Sequence, residues 1–293
     1  MKGSGLRGVI AAAATPVTGD FQPDLPRFVA LCRRLLDTGC DGLNICGTTG
    51  EATSFTVRQR MALMDAAAAA LPLERLMVGT GAAALGDLVA LTKHAATLGF
   101  AGALIIPPFY YKGVDEDGVV QLFDRIAEAT AVHPVPLYLY NFPALSGVPY
   151  TPALVERLRN EFGGIIAGLK DSSGDLDYAN KIVAISPDLK VFPSNEAVLS
   201  RARAGEFAGC ISASANLNSR FCGRAFHEGD AIALDTATKI RALASRKPLI
   251  ASVKAVLAHM LQDRAFEALM PPLTPLSGAD KRQLIEDVSP LLG

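Results

Sequence analysis

The sequence predicts an α/β protein, a (β/α)8 TIM barrel with a C-terminal helical domain, on three observations. Eight short runs rich in β-branched and aliphatic residues recur along the 293 residues, segments of helical spacing separate them, and no strand pattern follows the eighth run. Runs that are apolar on both faces and alternate with helices imply a parallel sheet. Eight such units close most simply into a barrel, for which about 250 residues suffice as one unit. An open doubly wound sheet shares the alternation and is the competing architecture.

In order, the strand candidates are residues 8–17, 42–47, 76–81, 103–107, 136–141, 165–170, 190–195 and 209–216. Helical spacing follows the first run at Phe28, Leu31, Leu35 and Leu36, and the third at Leu88, Leu91, Ala95 and Leu98. Thr56 with Gln59 three residues later reads as a capping box, Thr151-Pro152 as a cap followed by a first-turn proline, and Gly39 and Gly99 as helix stops. From about residue 220 onward only helices are read, with 250–261 the clearest and Pro271-Pro272 a break. The barrel is therefore assigned to residues 1–222 and a helical domain to 223–293.

Half of the residues are apolar, 19% are charged and the net charge is −1, which describes a filled core without an electrostatic footprint for nucleic acid. Apolar stretches fall far short of the roughly 18 residues of a membrane span, so no membrane partner is expected. Residues 1–9 run into Ala-rich sequence without a Leu-rich signal core, so no secretory peptide is expected. Cys32, Cys40, Cys46, Cys210 and Cys222 are odd in number and lack Cys-x-x-Cys spacing. They read as reduced, buried thiols of a cytoplasmic protein.

The active site of a parallel barrel lies at the C-terminal ends of its strands, so polar residues that end an apolar run are the informative ones. Four runs end this way: the second in Gly47-Thr48-Thr49-Gly50-Glu51, the fourth in Pro107-Pro108-Phe109-Tyr110-Tyr111, the fifth in Tyr138-Leu139-Tyr140-Asn141 and the sixth in Gly168-Leu169-Lys170-Asp171-Ser172-Ser173-Gly174. Lys170 closes the apolar run 165–169, which holds its amine among low-dielectric neighbours. Desolvation favours the neutral amine, the form that attacks a ketone to give a Schiff base. The competing reading is a lysine that snorkels out of a strand end. Lys190 begins its run and falls at the opposite barrel face, while Lys93, Lys112, Lys181, Lys239 and Lys247 fall in helices or loops.

The turn 47–51 offers two hydroxyls and several backbone N–H groups, either as a nest for a small carboxylate or as a turn made only for tight geometry. Tyr140 reads as a proton relay or as packing. Gly79-Thr80-Gly81-x-x-Ala84 lacks an acid about 20 residues on, where Phe100 and Ala101 stand, so no dinucleotide cofactor is expected. His94, His133, His227 and His259 are scattered without ligand spacing, so no metal is expected. Ser212 and Ser214 are not in a Gly-x-Ser-x-Gly elbow.

Taken together, Gly-Thr-Thr-Gly-Glu, Pro-Pro-Phe-Tyr-Tyr, Tyr-Asn-x-Pro and Gly-Leu-Lys-Asp-Ser-Ser-Gly resemble, in this order and spacing, the dihydrodipicolinate synthase / N-acetylneuraminate lyase family. The resemblance runs from about residue 7 into the C-terminal helices. It implies a homotetramer of barrels that binds pyruvate as a Schiff base, without a cofactor, and joins it to or cleaves it from an aldehyde. Lys170 matches the Schiff-base lysine and Tyr140 the tyrosine that shuttles protons beside it. Thr48 and Thr49, after Gly47, match the pair that receives the pyruvate carboxylate, and Ile211 a position whose backbone lines the pyruvate pocket. Tyr110 matches a tyrosine sent across a subunit interface into the neighbour's site, where it joins Thr48 and Tyr140 in a proton relay.

One departure concerns the second substrate. Where synthases of this family carry an arginine for the semialdehyde carboxylate, this chain has Leu145. Losing that charge-assisted contact costs about 1.5–3 kcal/mol, which points away from a lysine-biosynthetic synthase. Residues 140–148, and Ser172 to Leu176 after the lysine, look more like the sialic acid lyase and sugar-acid aldolase branch. In that branch an acidic pair after the seventh strand holds sugar hydroxyls; here Asn195-Glu196 occupies the place, which implies a shorter hydroxylated 2-oxo acid as substrate. Synthase activity and dehydration of a 2-keto-3-deoxy sugar acid are the alternatives.

Overall fold

The computed structural model describes residues 5–292; residues 1–4, where the signal-peptide reading begins, lie outside them. Its eight strands are β1 (Gly8–Ala12), β2 (Gly42–Ile45), β3 (Leu76–Gly79), β4 (Gly102–Ile105), β5 (Leu137–Asn141), β6 (Ile166–Asp171), β7 (Lys190–Pro193) and β8 (Gly209–Ser212). All ladders are parallel, and the order β7-β6-β5-β4-β3-β2-β1-β8 places consecutive strands side by side with β8 returning to β1. The ends meet where Ala208 N, one residue before β8, donates to Val191 O of β7 at 2.9 Å. This is a nearly closed barrel, and the doubly wound alternative is set aside.

Each strand starts within one residue of its expected position, but most stop earlier than the apolar runs do. Ala13 and Ala14 stay fully buried after β1 has ended, and Ala215 and Asn216 already belong to a helix. Apolarity there reflects burial beneath the barrel mouth and not membership of a ladder.

The helices are α1 (Leu25–Asp37), α2 (Val57–Ala70), α3 (Leu85–Leu98), α4 (Glu116–Ala129), α5 (Pro143–Ser146), α6 (Pro152–Phe162), α7 (Leu176–Val183), α8 (Leu199–Arg203), α9 (Ala215–His227), α10 (Ala231–Ala244), α11 (Leu249–Leu261) and α12 (Gly278–Leu292). The Thr56–Gln59 capping box starts α2, Thr151 caps α6 with Pro152 in its first turn, and Gly99 ends α3 in the left-handed region. The boundary expected between residues 222 and 223 falls inside α9. Val253, Val256 and Leu257 of α11 and Leu284 and Val288 of α12 join the same apolar core as the barrel helices.

Strand side chains sort into two layers, as the two-residue period of a strand requires. Val9, Leu43, Ile45, Val78, Ile105 and Leu139 face the helices. Ile10, Ala12, Met77, Leu104, Tyr138, Tyr140, Phe192 and Ile211 fill the barrel. In β6 the alternation is broken: Ile166 and Leu169 both face outward, Ala167 faces inward, and the register to β5 slips between Leu137 and Tyr138. The bulge at Ala167 resets the parity, so the residue after Leu169 points into the barrel mouth. Gly168 makes room for it, since a Cβ there would lie 2.2 Å from Lys190 O and 2.7 Å from the Tyr138 ring.

Candidate active site

A cavity of about 450 Å³ opens at the C-terminal ends of the strands, lined by Thr48, Thr49, Tyr140, Lys170, Ser172 and Ile211, with Leu145, Arg241 and residues before and in α11. This volume suits a small metabolite. Lys170, the inward residue that the bulge sets up, is only 4% exposed. It pairs in register with Tyr140, and its Nζ lies 4.1 Å from the Tyr140 ring centroid.

Tyr140 is buried, which alone raises its phenol. The charge of Lys170 and hydrogen bonds with Thr48, Ser172 and Lys170 outweigh burial and hold the phenol below its ordinary value. The Thr48 Oγ1 to Tyr140 Oη distance is 3.4 Å. Behind the lysine, Asn141 Nδ2 donates to Asp171 Oδ1 at 2.8 Å and Ser173 Oγ to Asp171 Oδ2 at 2.8 Å. Burial pushes the Asp171 carboxyl up against these hydrogen bonds. The network fixes the end of β6 next to the amine.

The turn that carries Thr48 and Thr49 is flanked by Cys46 (φ 50°) and Glu51 (φ 56°), both non-glycine residues in the left-handed region. It packs so closely on β3 that a Cβ at Gly79 would lie 2.2 Å from Cys46 O. The buried Glu51 carboxylate accepts hydrogen bonds from Lys254 Nζ and, at 2.7 Å, from Met270 N. Lys254 also donates to Ala268 O at 2.6 Å. Burial pushes the Lys254 ammonium below its ordinary value, and Glu51 opposes that. Sequence reasoning missed this pair; its only trace is a lysine inside the otherwise apolar run of α11.

Other expected site residues are placed differently. Glu196 does not line the cavity: it is 0% exposed, its Oε1 accepts from Ser212 at 2.8 Å, Ser214 at 2.6 Å and Asn218 at 3.3 Å, and its Oε2 from Arg241 at 3.1 Å. With its acceptor sites spent on protein donors, it has no carboxylate to offer sugar hydroxyls. Asn195 Oδ1 accepts from Ala197 N at 3.0 Å, and the residue lines a neighbouring crevice. Gly47 lines a smaller cavity of about 250 Å³ behind Thr48 and Tyr140, together with Arg60. Tyr110 lies outside the cavity of its own chain, 74% exposed, with its ring edge-on to Tyr111 at 5.2 Å.

Arg241 of α10 was not anticipated, because nothing in a surface-patterned helix marks which face meets the barrel mouth. Its Nη1 donates to Glu196 and to Ser212 Oγ at 3.0 Å. The Gly79-Thr80-Gly81 turn is occupied by Arg60, which donates to Gly81 O at 3.0 Å and Gly79 O at 2.8 Å. Among the described residues no group of His, Cys, Asp and Glu is arranged to hold a metal ion, and no helix is long and apolar enough to cross a membrane.

The Dihydrodipicolinate synthetase family model matches residues 5–290. A DapA-like lyase of Chloroflexus aurantiacus is 34% identical over 280 residues, covering 94% of this chain and 93% of that protein. The 4-hydroxy-tetrahydrodipicolinate synthase of Methanococcoides burtonii is 30% identical over 291 residues, covering 95% of this chain and 96% of the relative. The crystal structure of dihydrodipicolinate synthase from Agrobacterium tumefaciens superimposes with a TM-score of 0.89 at 27% identity, over 97% of this chain and 99% of that one. Barrel, bulged lysine strand and chain-long match thus lead to one conclusion: the protein belongs to the dihydrodipicolinate synthetase family and is a lyase of the class I aldolase type.

Proposed function

We propose that the protein captures pyruvate, or a close 2-oxo acid, on Lys170 and makes or breaks a carbon–carbon bond between it and an aldehyde, with a hydroxylated 2-oxo acid as the larger partner. The observation that carries this reading is the buried Lys170 amine beside the Tyr140 phenol, in a cavity that also holds Thr48 and Thr49. The turn Gly47-Thr48-Thr49 receives the pyruvate carboxylate through its hydroxyls and N–H groups, and the Ile211 backbone bounds the opposite edge of the three-carbon unit.

Neutral Lys170 attacks the C2 ketone, and loss of water leaves an iminium. In the cleavage direction Tyr140 takes the proton of the 4-hydroxyl, the C3–C4 electron pair moves into the iminium, and the aldehyde departs. The enamine then takes a proton at C3, and hydrolysis returns the amine and pyruvate. In the assembled enzyme the partner's Tyr110 completes the relay through Thr48. No cofactor enters these steps. Five buried, unpaired cysteines suit a reducing cytoplasm.

Intact-protein mass after incubation with pyruvate and sodium borohydride tests this reading. A gain of one reduced pyruvate is expected in the native chain and none in Lys170→Ala. No gain in either overturns the Schiff-base mechanism.

A further inference from the structure

We propose that Leu273, brought to the cavity mouth by the chain between α11 and α12, is a specificity-determining residue that sets how bulky an aldehyde the site accepts, and that Glu51 is the positioning residue that holds it there. This rests on the Schiff-base reading above and extends it to the far side of the cavity.

Lys170, Thr48, Thr49 and Ile211 account for the three-carbon unit at one end of a cavity of about 450 Å³. Pyruvate fills only part of that space, since cavities of roughly 300–1,000 Å³ hold ligands of drug size. The aldehyde carbon bonds to C3 of a unit carried on the buried Lys170, so its substituent extends away from the amine toward the mouth. The large apolar side chains of the lining that stay more than a third exposed are Leu145 (52%) and Leu273 (37%). They stand on different elements, Leu145 in α5 and Leu273 in the chain that leads into α12. A substituent that reaches the mouth meets these two side chains.

Among the described residues Leu273 joins none of the apolar core clusters, so packing alone does not place it. Two hydrogen bonds in series do so: Leu273 N donates to Met270 O at 3.0 Å, and Met270 N donates to the Glu51 carboxylate at 2.7 Å. The Met270 side chain is buried with Val17 and Phe55 in a small cluster of its own. Lys254 donates to the other Glu51 oxygen and to Ala268 O. A bond to an ionised acceptor is about twice as strong as a neutral one, which makes Glu51 a firm anchor. Glu51 also closes the turn that carries Thr48 and Thr49, with φ at 56°. One buried carboxylate thus fastens the wall that meets the aldehyde to the turn that meets the pyruvate carboxylate.

The test is condensation of pyruvate with acetaldehyde, butanal and benzaldehyde, which differ in bulk and carry no charge. The readout is kcat/KM for each larger aldehyde divided by that for acetaldehyde, compared between chains so that the intrinsic reactivity of the aldehydes cancels. Apolar contacts of one methylene discriminate by about tenfold or more, so Leu273→Ala is expected to raise the ratio for benzaldehyde about tenfold and Leu273→Phe to lower it by a similar factor. In both variants the pyruvate KM and the rate of borohydride trapping stay at the native value. Glu51→Leu with Lys254→Met deletes the acceptor of Met270 N together with both buried charges, and is expected to raise the ratio although Leu273 is intact. Glu51→Gln with Lys254→Met, which retains a neutral acceptor, gives a smaller rise and serves where the first variant does not fold. A role of Glu51 in stability alone lowers the unfolding free energy without moving this ratio.

Native ratios in both Leu273 variants, or a change carried by the pyruvate KM, overturn the assignment of Leu273. So does a series in which no aldehyde reacts with the native enzyme or with Leu273→Ala although pyruvate is trapped, because a wider mouth then admits nothing. A native ratio in the folded Glu51 variants overturns the tether. Absence of trapping in the native enzyme removes the Schiff-base reading and this inference with it, whereas trapping with unchanged ratios removes only the role of Leu273.

Discussion

The Tyr140 phenol is held below its ordinary value by Lys170 and by hydrogen bonds from Thr48 and Ser172, against the opposing effect of burial. If phenolate is the base in cleavage, kcat/KM rises with pH as Tyr140 loses its proton. Thr48→Val removes one of the groups that lower the phenol, so the rising limb moves to higher pH. A pH–rate profile whose rising limb stays in place in Thr48→Val would exclude Tyr140 as its source. At this scale much was legible: Lys170, Tyr140, Thr48, Thr49, Ser172 and Ile211 all line one cavity. Glu196 and Arg241 were not legible, because whether a carboxylate faces substrate or a half-buried arginine depends on a helix 45 residues away in sequence.

Two element-level devices shape the site. The bulge in β6 turns Lys170 inward; strict alternation from Ala167 would have placed Leu169 in the mouth and the lysine among the helices. The second device is the buried pair of Glu51 and Lys254, by which α11 and the chain at Ala268–Met270 hold the strained turn bearing Thr48 and Thr49. Lys254→Met leaves the Glu51 charge buried without its partner, and a loss of about 3–5 kcal/mol in unfolding free energy is expected. Glu51→Gln combined with Lys254→Met removes both charges and is expected to recover part of that loss. Denaturant titration of both variants checks the order. Equal stability of Lys254→Met and the native chain would mean that the ion pair does not hold the turn.

At the scale of the whole molecule, Tyr110 and Tyr111 form an exposed edge-on aromatic pair, which a single chain leaves in water. Our reading places them at a subunit interface, with the partner's Tyr110 completing the proton relay. Sedimentation equilibrium is then expected to find a tetramer, and Tyr110→Phe to lose about 10²-fold in kcat while still trapping pyruvate. A monomer of full activity would refute this.

Strand and helix order, the barrel class and the lysine that closes the sixth apolar run were determined by the sequence alone, because hydrophobic period and the polar ends of apolar runs are local properties of the chain. Three features were decided only by tertiary structure: the inward turn of Lys170, the clamp of Glu51 by Lys254, and the presentation of Arg241 beside Ser212. Each depends on where residues distant in sequence meet, and a one-dimensional pattern carries no record of which buried charge faces which.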